Sequence, residues 1–323
     1  MPTKIEISHR TILFTIFILA AIWVFFQISD ILFLIFIAFI IMSGLRPIVD
    51  FLTKKRIPRI LSVLLTYAVF VGLFGVLLLG TIPTLVSQTT KFIQEFPSFI
   101  TRVMPNFYLD SNTLTAQIAP LGENIVKVTV SIFSNVITTL TVFVFAFYFL
   151  LERGKAEEAL RSLVGSEMGE RLTRVLHAIE DRLGSWVLGQ FFLMIVIGVF
   201  SFIGLSFLHV DFALPLAIIA GLLEIVPTIG PIISALPAVL VAISISPVMA
   251  GSVLVLYVLI HQLENNLIVP FVMKKSVGFS PIITIVALMV GGKLGGIGGA
   301  VLAIPMLLVA QEIVREFVDK KKK

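Results

Sequence analysis

Apolar residues in this chain come in long, nearly uncharged runs, and neither strand-like alternation nor the one-sided stripe of a soluble helix is visible. Runs at Thr11–Ile28, Ile60–Ile82, Val128–Leu151, Leu183–Leu208 and Val248–Val269 approach or exceed the length that an α-helix needs to cross a bilayer, about 20 residues. The run Ile31–Leu45 is shorter and stops at Arg46-Pro47. Thr11–Ile28 follows Lys4, His9 and Arg10 as a signal peptide would. No small-residue cleavage site follows it, and Asp30 leads straight into the next run, so it is expected to be a retained anchor. Two further segments, Phe212–Ile245 and Pro281–Val314, are each interrupted by Gly and Pro at mid-length.

Composition sharpens that pattern. Of 323 residues, 58% are hydrophobic and 13% charged, where a soluble domain averages about 25% charged. Mean hydropathy is +1.08. A soluble globule, a disordered chain and a nucleic-acid binder are excluded, and the net charge of +5 becomes a question of topology. Cysteine is absent, which removes disulfides and thiolate chemistry. His9, His177, His209 and His261 are scattered without an HExxH, so no metal centre is expected. No Gly-x-Ser-x-Gly elbow or phosphate loop stands out, so no enzyme is expected either.

Basic residues cluster at 46–59, in 152–182, at Lys274-Lys275 and at Lys320–Lys323. The positive-inside rule then puts these stretches and both termini in the cytoplasm, with 83–127 and 209–211 outside. A single crossing by Phe212–Ile245 would carry Lys274-Lys275 to the wrong side. Two full crossings restore the parity, but the arms Phe212–Val226 and Ile232–Ile245 have only 15 and 14 residues. A re-entrant hairpin meets both constraints, with its broken backbone buried in protein or facing a water-filled cavity.

The two interrupted segments also resemble each other. Ala235-Leu236-Pro237-Ala238-Val239-Leu240-Val241-Ala242 matches Ala303-Ile304-Pro305-Met306-Leu307-Leu308-Val309-Ala310 at five of eight positions. Each stretch is a second arm, each segment opens near a proline (Pro215, Pro281), and each follows a long span. One intervening crossing makes the two units inverted, the architecture of many secondary transporters; chance similarity of two Leu/Val/Ala-rich strings is the competing explanation.

The first hairpin tip runs Glu224-Ile225-Val226-Pro227-Thr228-Ile229-Gly230-Pro231. Prolines and glycine stop the helix and free carbonyls, which with Thr228 and the Glu224 carboxylate suit Na⁺ or a polar solute. The second tip carries Gly291, Gly292, Lys293, Gly295 and Gly296, small enough for backbone to approach a substrate, or for close helix packing. Near the end of the run 248–269 come His261, Gln262, Glu264, Asn265, Asn266 and Pro270. Glu264 is a candidate to bind and release a proton if buried; an ordinary cytoplasmic interface is the alternative. His261 reads as a packed, hydrogen-bonding residue with a relay role as the minority option, and Gln190 as a pore-facing amide or a packing notch. Asp30 and Asp211 read as solvated ends, and Trp23 and Trp186 as interface markers. The stretch 152–182, with six basic and seven acidic residues, reads as solvated helix.

The expected fold is therefore all-α and polytopic, with about six full transmembrane helices plus two re-entrant helical hairpins forming an inverted repeat in the C-terminal half. Residues 1–82 form N-terminal membrane helices, 83–127 an extracytoplasmic amphipathic segment, 128–182 a membrane helix with a cytoplasmic helical segment, and 183–323 the transport unit.

Glu224-Ile225-Val226-Pro227-x-Ile229-Gly230-Pro231, Gln262-x-Glu264-Asn265 with Pro270, and the Gly-rich run ending Ala303-Ile304-Pro305 resemble the autoinducer-2 exporter family of bacterial and archaeal permeases. The resemblance covers nearly the whole chain. It implies a homo-oligomeric inner-membrane transporter, associated in some members with export of autoinducer-2 and in others with Na⁺(Li⁺)/H⁺ antiport. Matching residues are Glu224, Pro227, Gly230, Pro231, Gln262, Glu264, Asn265 and Pro270. The expected partners are the lipid bilayer and a small polar solute or monovalent cation. H⁺ or Na⁺ is the coupling ion, with no other cofactor and no nucleic acid. Export of a small polar solute is the leading expectation; a cation/proton antiporter and a non-transporting membrane scaffold are the alternatives.

Overall fold

A computed structural model describes residues 9–73, 75, 136–227, 229–273 and 279–319. Among these the chain is helical throughout, with no strand. The expected segment 83–127, the tip residue Thr228 and Lys274-Lys275 lie outside the described residues. The helices are α1 (His9–Gln27), α2 (Ser29–Lys54), α3 (Arg59–Leu73), α4 (Val136–Val164), α5 (Ser166–Phe207), α6 (Ala213–Leu223), α7 (Ile229–Ile245) and α8 (Pro247–Leu263). A π-helical turn, Glu264–Ile268, and a last turn, Val269–Val272, continue α8; α9 runs from Pro281 to Asp319. Five of the described helical stretches are long and apolar enough to cross a membrane, and α1, α3, α6 and α7 are shorter apolar helices. The chain is a multi-pass membrane protein.

The second run does not end at Arg46-Pro47. α2 continues through Pro47 to Lys54. Proline has no N–H to give the carbonyl four residues back, which here is that of Ser43. The Gly184 backbone packs onto that carbonyl, where any Cβ would collide. The proline thus creates a contact between α2 and α5 instead of ending a helix.

α5 is a continuous helix of 42 residues, roughly 63 Å at 1.5 Å per residue, and α6, α8 and α9 pack directly on it. Its C-terminal half packs with α6, α7 and α8 around Ile197, Leu205, Leu216, Ala220, Val241, Val253 and Tyr257. Its middle packs with α2 and α9 around Ile40, Leu183, Trp186, Ile304 and Leu308. Trp186 is 5% exposed within this cluster, so it is a core residue and not an interface marker, while Trp23 stands exposed on α1.

Both interrupted segments turn back on themselves. α6 and α7 are two arms, with turn geometry at 224–227 after the first. α9 leaves helical geometry at Gly295 (φ −131°) and Gly296 (φ 59°). The Gly291 carbonyl lies against the Cα of Gly299, residues that a straight helix would hold about 12 Å apart. Only glycine tolerates the left-handed Gly296 conformation without strain.

The stretch 152–182 is more than solvated helix. Glu180 on α5 is 1% exposed and is gripped by Arg46 of α2 (Nη1–Oε2 3.0 Å) and Arg153 of α4 (Nη2–Oε2 2.6 Å). Arg46 also binds Asp181 at 2.7 Å. Further along, Arg182 pairs with Glu312 at 2.8 Å and Arg171 with Glu316 at 2.9 Å, tying α5 to α9. Burial of a carboxylate among flanking charges leaves no mark on the sequence, because the charged run looks the same whichever residue faces inward.

Candidate functional site

The site forms where two helices are broken beside α5. α6 ends at Leu223 because Pro227 and Pro231 deny the next turns their donors. Turn bonds satisfy the break: Val226 N–H to the Leu223 carbonyl at 3.1 Å and Gly230 N–H to the Val226 carbonyl at 2.9 Å. Gly230 is buried so tightly against the Leu223 carbonyl that a side chain there would overlap it. Pro231 is buried and its carbonyl accepts the Ser234 hydroxyl at 3.0 Å; Pro227 is half-buried. This arrangement turns Glu224 inward, with 0% exposure.

Glu264 arrives from the other side on the π turn. Pro270 cannot donate to the Asn266 carbonyl, and the helix widens just before it, with the Val269 N–H bonding the Glu264 carbonyl five residues back. Such turns recur at functional sites. The result is a Glu264 side chain 3% exposed whose carboxyl interacts with that of Glu224. The His261 ring sits at its edge, Nδ1 3.5 Å from Glu264 Oε2, and also meets the Asn265 amide at 2.9 Å.

α5 contributes the third side. Gln190, 3% exposed, donates from Nε2 to the Glu224 carbonyl. Its neighbour Gly189 lets the end of the α8 continuation close in: a Cβ there would meet the Met273 sulfur at 3.0 Å and Val272 Cγ1 at 3.1 Å. One turn of α5 therefore receives both the broken tip and the end of the α8 continuation.

The other sequence candidates lie elsewhere. Gln262, Asn265 and Asn266 are exposed, and the Asn266 amide bonds Gln262 Oε1 at 2.8 Å along the helix. Pro270 is exposed and acts through the backbone. Lys293, Gly295 and Gly296 are exposed; Gly291 and Gly292 are half-buried. Gly298, beside that turn, packs at 2.9 Å from the Phe33 ring of α2 if given a Cβ, so the second tip rests on the N-terminal helices. Sequence reasoning missed Glu180 as a buried charge and read Gln190 as a pore-facing amide or a packing notch; the structure buries it against the Glu224 carbonyl.

Several known proteins share this chain's sequence. The "Putative transport protein YueF" of Bacillus subtilis is 29% identical over 310 residues, covering 88% of this chain and 83% of that protein. A "Sodium-lithium/proton antiporter" of Halobacillus andaensis is 23% identical, with 87% and 88% covered. The "AI-2 transport protein TqsA" of Escherichia coli is 22% identical, with 83% and 80% covered. The model of the AI-2E family of transporters matches residues 12–319, so this chain belongs to the AI-2E transporter family.

Proposed function

We propose that the protein is a secondary active transporter of the cell membrane that exports a small polar solute coupled to H⁺ or Na⁺, with Glu224 and Glu264 as the coupling pair. The observation that carries this reading is the meeting of two buried carboxyl groups at two helix irregularities. Two carboxylates in a dry site cannot both stay ionised and uncompensated; they take up a proton or a cation. Loading and unloading that charge changes the cost of exposing the site to either face, which is what coupling requires. The two helix–turn–helix segments support re-entrant hairpins in an inverted repeat, and the one-ended clustering of Arg46, Arg153 and Arg182 supports cytoplasmic termini. The resemblance to its family implies a homo-oligomer, and autoinducer-2 is the solute that one relative's name suggests.

A second reading, Na⁺(Li⁺)/H⁺ antiport, draws on the same pair and on the name of the Halobacillus relative. Proteoliposomes holding a pH-sensitive dye and a Na⁺ gradient separate the two, since a solute exporter moves no protons in response to Na⁺ without its solute. In either case Glu264→Gln should abolish coupled flux while the protein elutes and melts as a folded species. Full flux in that variant would sink the assignment.

A further inference from the structure

The oxygens around Glu224 carry more than a proton explains. The Gln190 amide is oriented by its Nε2, which donates to the Glu224 carbonyl. Its Oε1 is buried at the same break without a protein partner. Glu224 Oε1 and Oε2 and Glu264 Oε2 are likewise buried and unpartnered. Four acceptor oxygens from three separate helical elements thus lie buried at this break without a hydrogen-bond partner, with the His261 ring Nδ1 standing 3.5 Å from Glu264 Oε2. Buried acceptors are normally satisfied, and a cluster of them is the donor set of a hard cation.

A single proton shared by the two carboxyl groups relieves their repulsion but gives the Gln190 Oε1 nothing. A divalent cation asks for more than this cluster offers, since calcium takes about 6–8 oxygens and magnesium a near-octahedral shell. A small monovalent ion matches the low oxygen count, and one carboxylate charge neutralises it when the other carboxyl holds its proton. His261, with Nδ1 3.5 Å from Glu264 Oε2, is the further titratable group at this pair.

We propose that Gln190 Oε1 and the carboxylates of Glu224 and Glu264 form a site for a small alkali cation, sodium or lithium, in which Gln190 is the residue that admits a metal ion where the pair alone would take only a proton. This rests on the reading of Glu224 and Glu264 as the coupling pair and adds the ligand that sets its cation selectivity. Gly189 belongs to the construction, because its missing side chain lets Val272 and Met273, at the end of the helix that carries Glu264, close in beside Gln190.

The test is thermal melting of the purified full-length protein in N-methylglucamine chloride, with NaCl or LiCl replacing it at constant ionic strength and KCl and MgCl₂ as comparisons. Sodium and lithium should raise the midpoint by about 2–4 °C per tenfold increase above the dissociation constant, and potassium and magnesium should not. Gln190→Met keeps the bulk without the oxygen and should lose the sodium shift. Gln190→Lys places an ammonium where the metal sits and should melt equally with and without sodium. A wild-type protein with no sodium shift, or a Gln190→Met variant that keeps it, overturns the site. If Glu264→Gln still loses coupled flux in that event, the coupling pair stands on protons alone. If that variant keeps its flux while sodium still stabilises the wild type, the coupling reading fails and the cation site remains.

Discussion

At the scale of single residues, the site depends on what is missing as much as on what is present. Gly230 has no side chain, and that absence lets α7 start directly against the Leu223 carbonyl and hold Glu224 at the turn. Gly230→Ala would bring a methyl group into that carbonyl and to 3.0 Å from the Glu224 nitrogen. Backbone on that side cannot give way as a flexible side chain can. The expected cost is about 1–3 kcal/mol, read as a lower melting midpoint. The control is Gly251→Ala on α8, where a Cβ would meet nothing within 4 Å. In an exposed helix that change should be neutral or stabilising, by up to about 1 kcal/mol. Equal losses at the two glycines would show that the turn is not under this constraint. Glu224 and Glu264 were legible in the sequence because a carboxylate in an apolar run has few bland explanations. Gln190 was harder to weigh, since an uncharged amide in a span is as often packing as function, and its bond to the Glu224 carbonyl is visible only in three dimensions.

At the scale of elements, the order and approximate extent of the runs were legible, but not how the helices use their breakers. Pro47 does not stop α2, Pro237 lies inside α7 and Pro305 inside α9. At Pro47 the freed Ser43 carbonyl lies against the Gly184 backbone of α5. Pro270 acts differently, shifting its helix into the π turn that carries Glu264. The charged ends of α2, α4 and α5 form a second lesson, since Glu180 holds two arginines from two helices at 2.6 and 3.0 Å. Glu180→Ala leaves both guanidiniums without their buried partner and should cost about 3–5 kcal/mol. The combined change Glu180→Leu, Arg46→Met and Arg153→Met removes the charges together and should lie close to wild type in melting. A single variant as stable as wild type would mean that the arginines find other partners without loss.

At the scale of the whole molecule, one geometric fact links the distribution of charge to the proposed direction of travel. Arg46 of α2, Arg153 of α4, and Arg171 and Arg182 of α5, with Glu312 and Glu316 of α9, all pair towards one end of α5. Gln190 lies ten residues along the same helix from Glu180, roughly 15 Å, so the carboxylate pair is set well into the helix beyond the charged cluster. If the charged end is cytoplasmic, as the positive-inside rule requires, the broken tip of α6 and α7 reaches inward from the outside. The second tip, at Gly295-Gly296, then reaches outward from the cytoplasm. The chain contains no cysteine, so single cysteines report this directly without a background to remove. Asp211 precedes the first arm of the hairpin and Ser246 follows its second arm. Cysteines at both positions should react with an impermeant maleimide added outside intact cells, and one at Ser280 only after the membrane is opened. Reaction of Asp211→Cys and Ser246→Cys from opposite sides would make the segment a crossing, and the inverted arrangement of the two tips would fall with it.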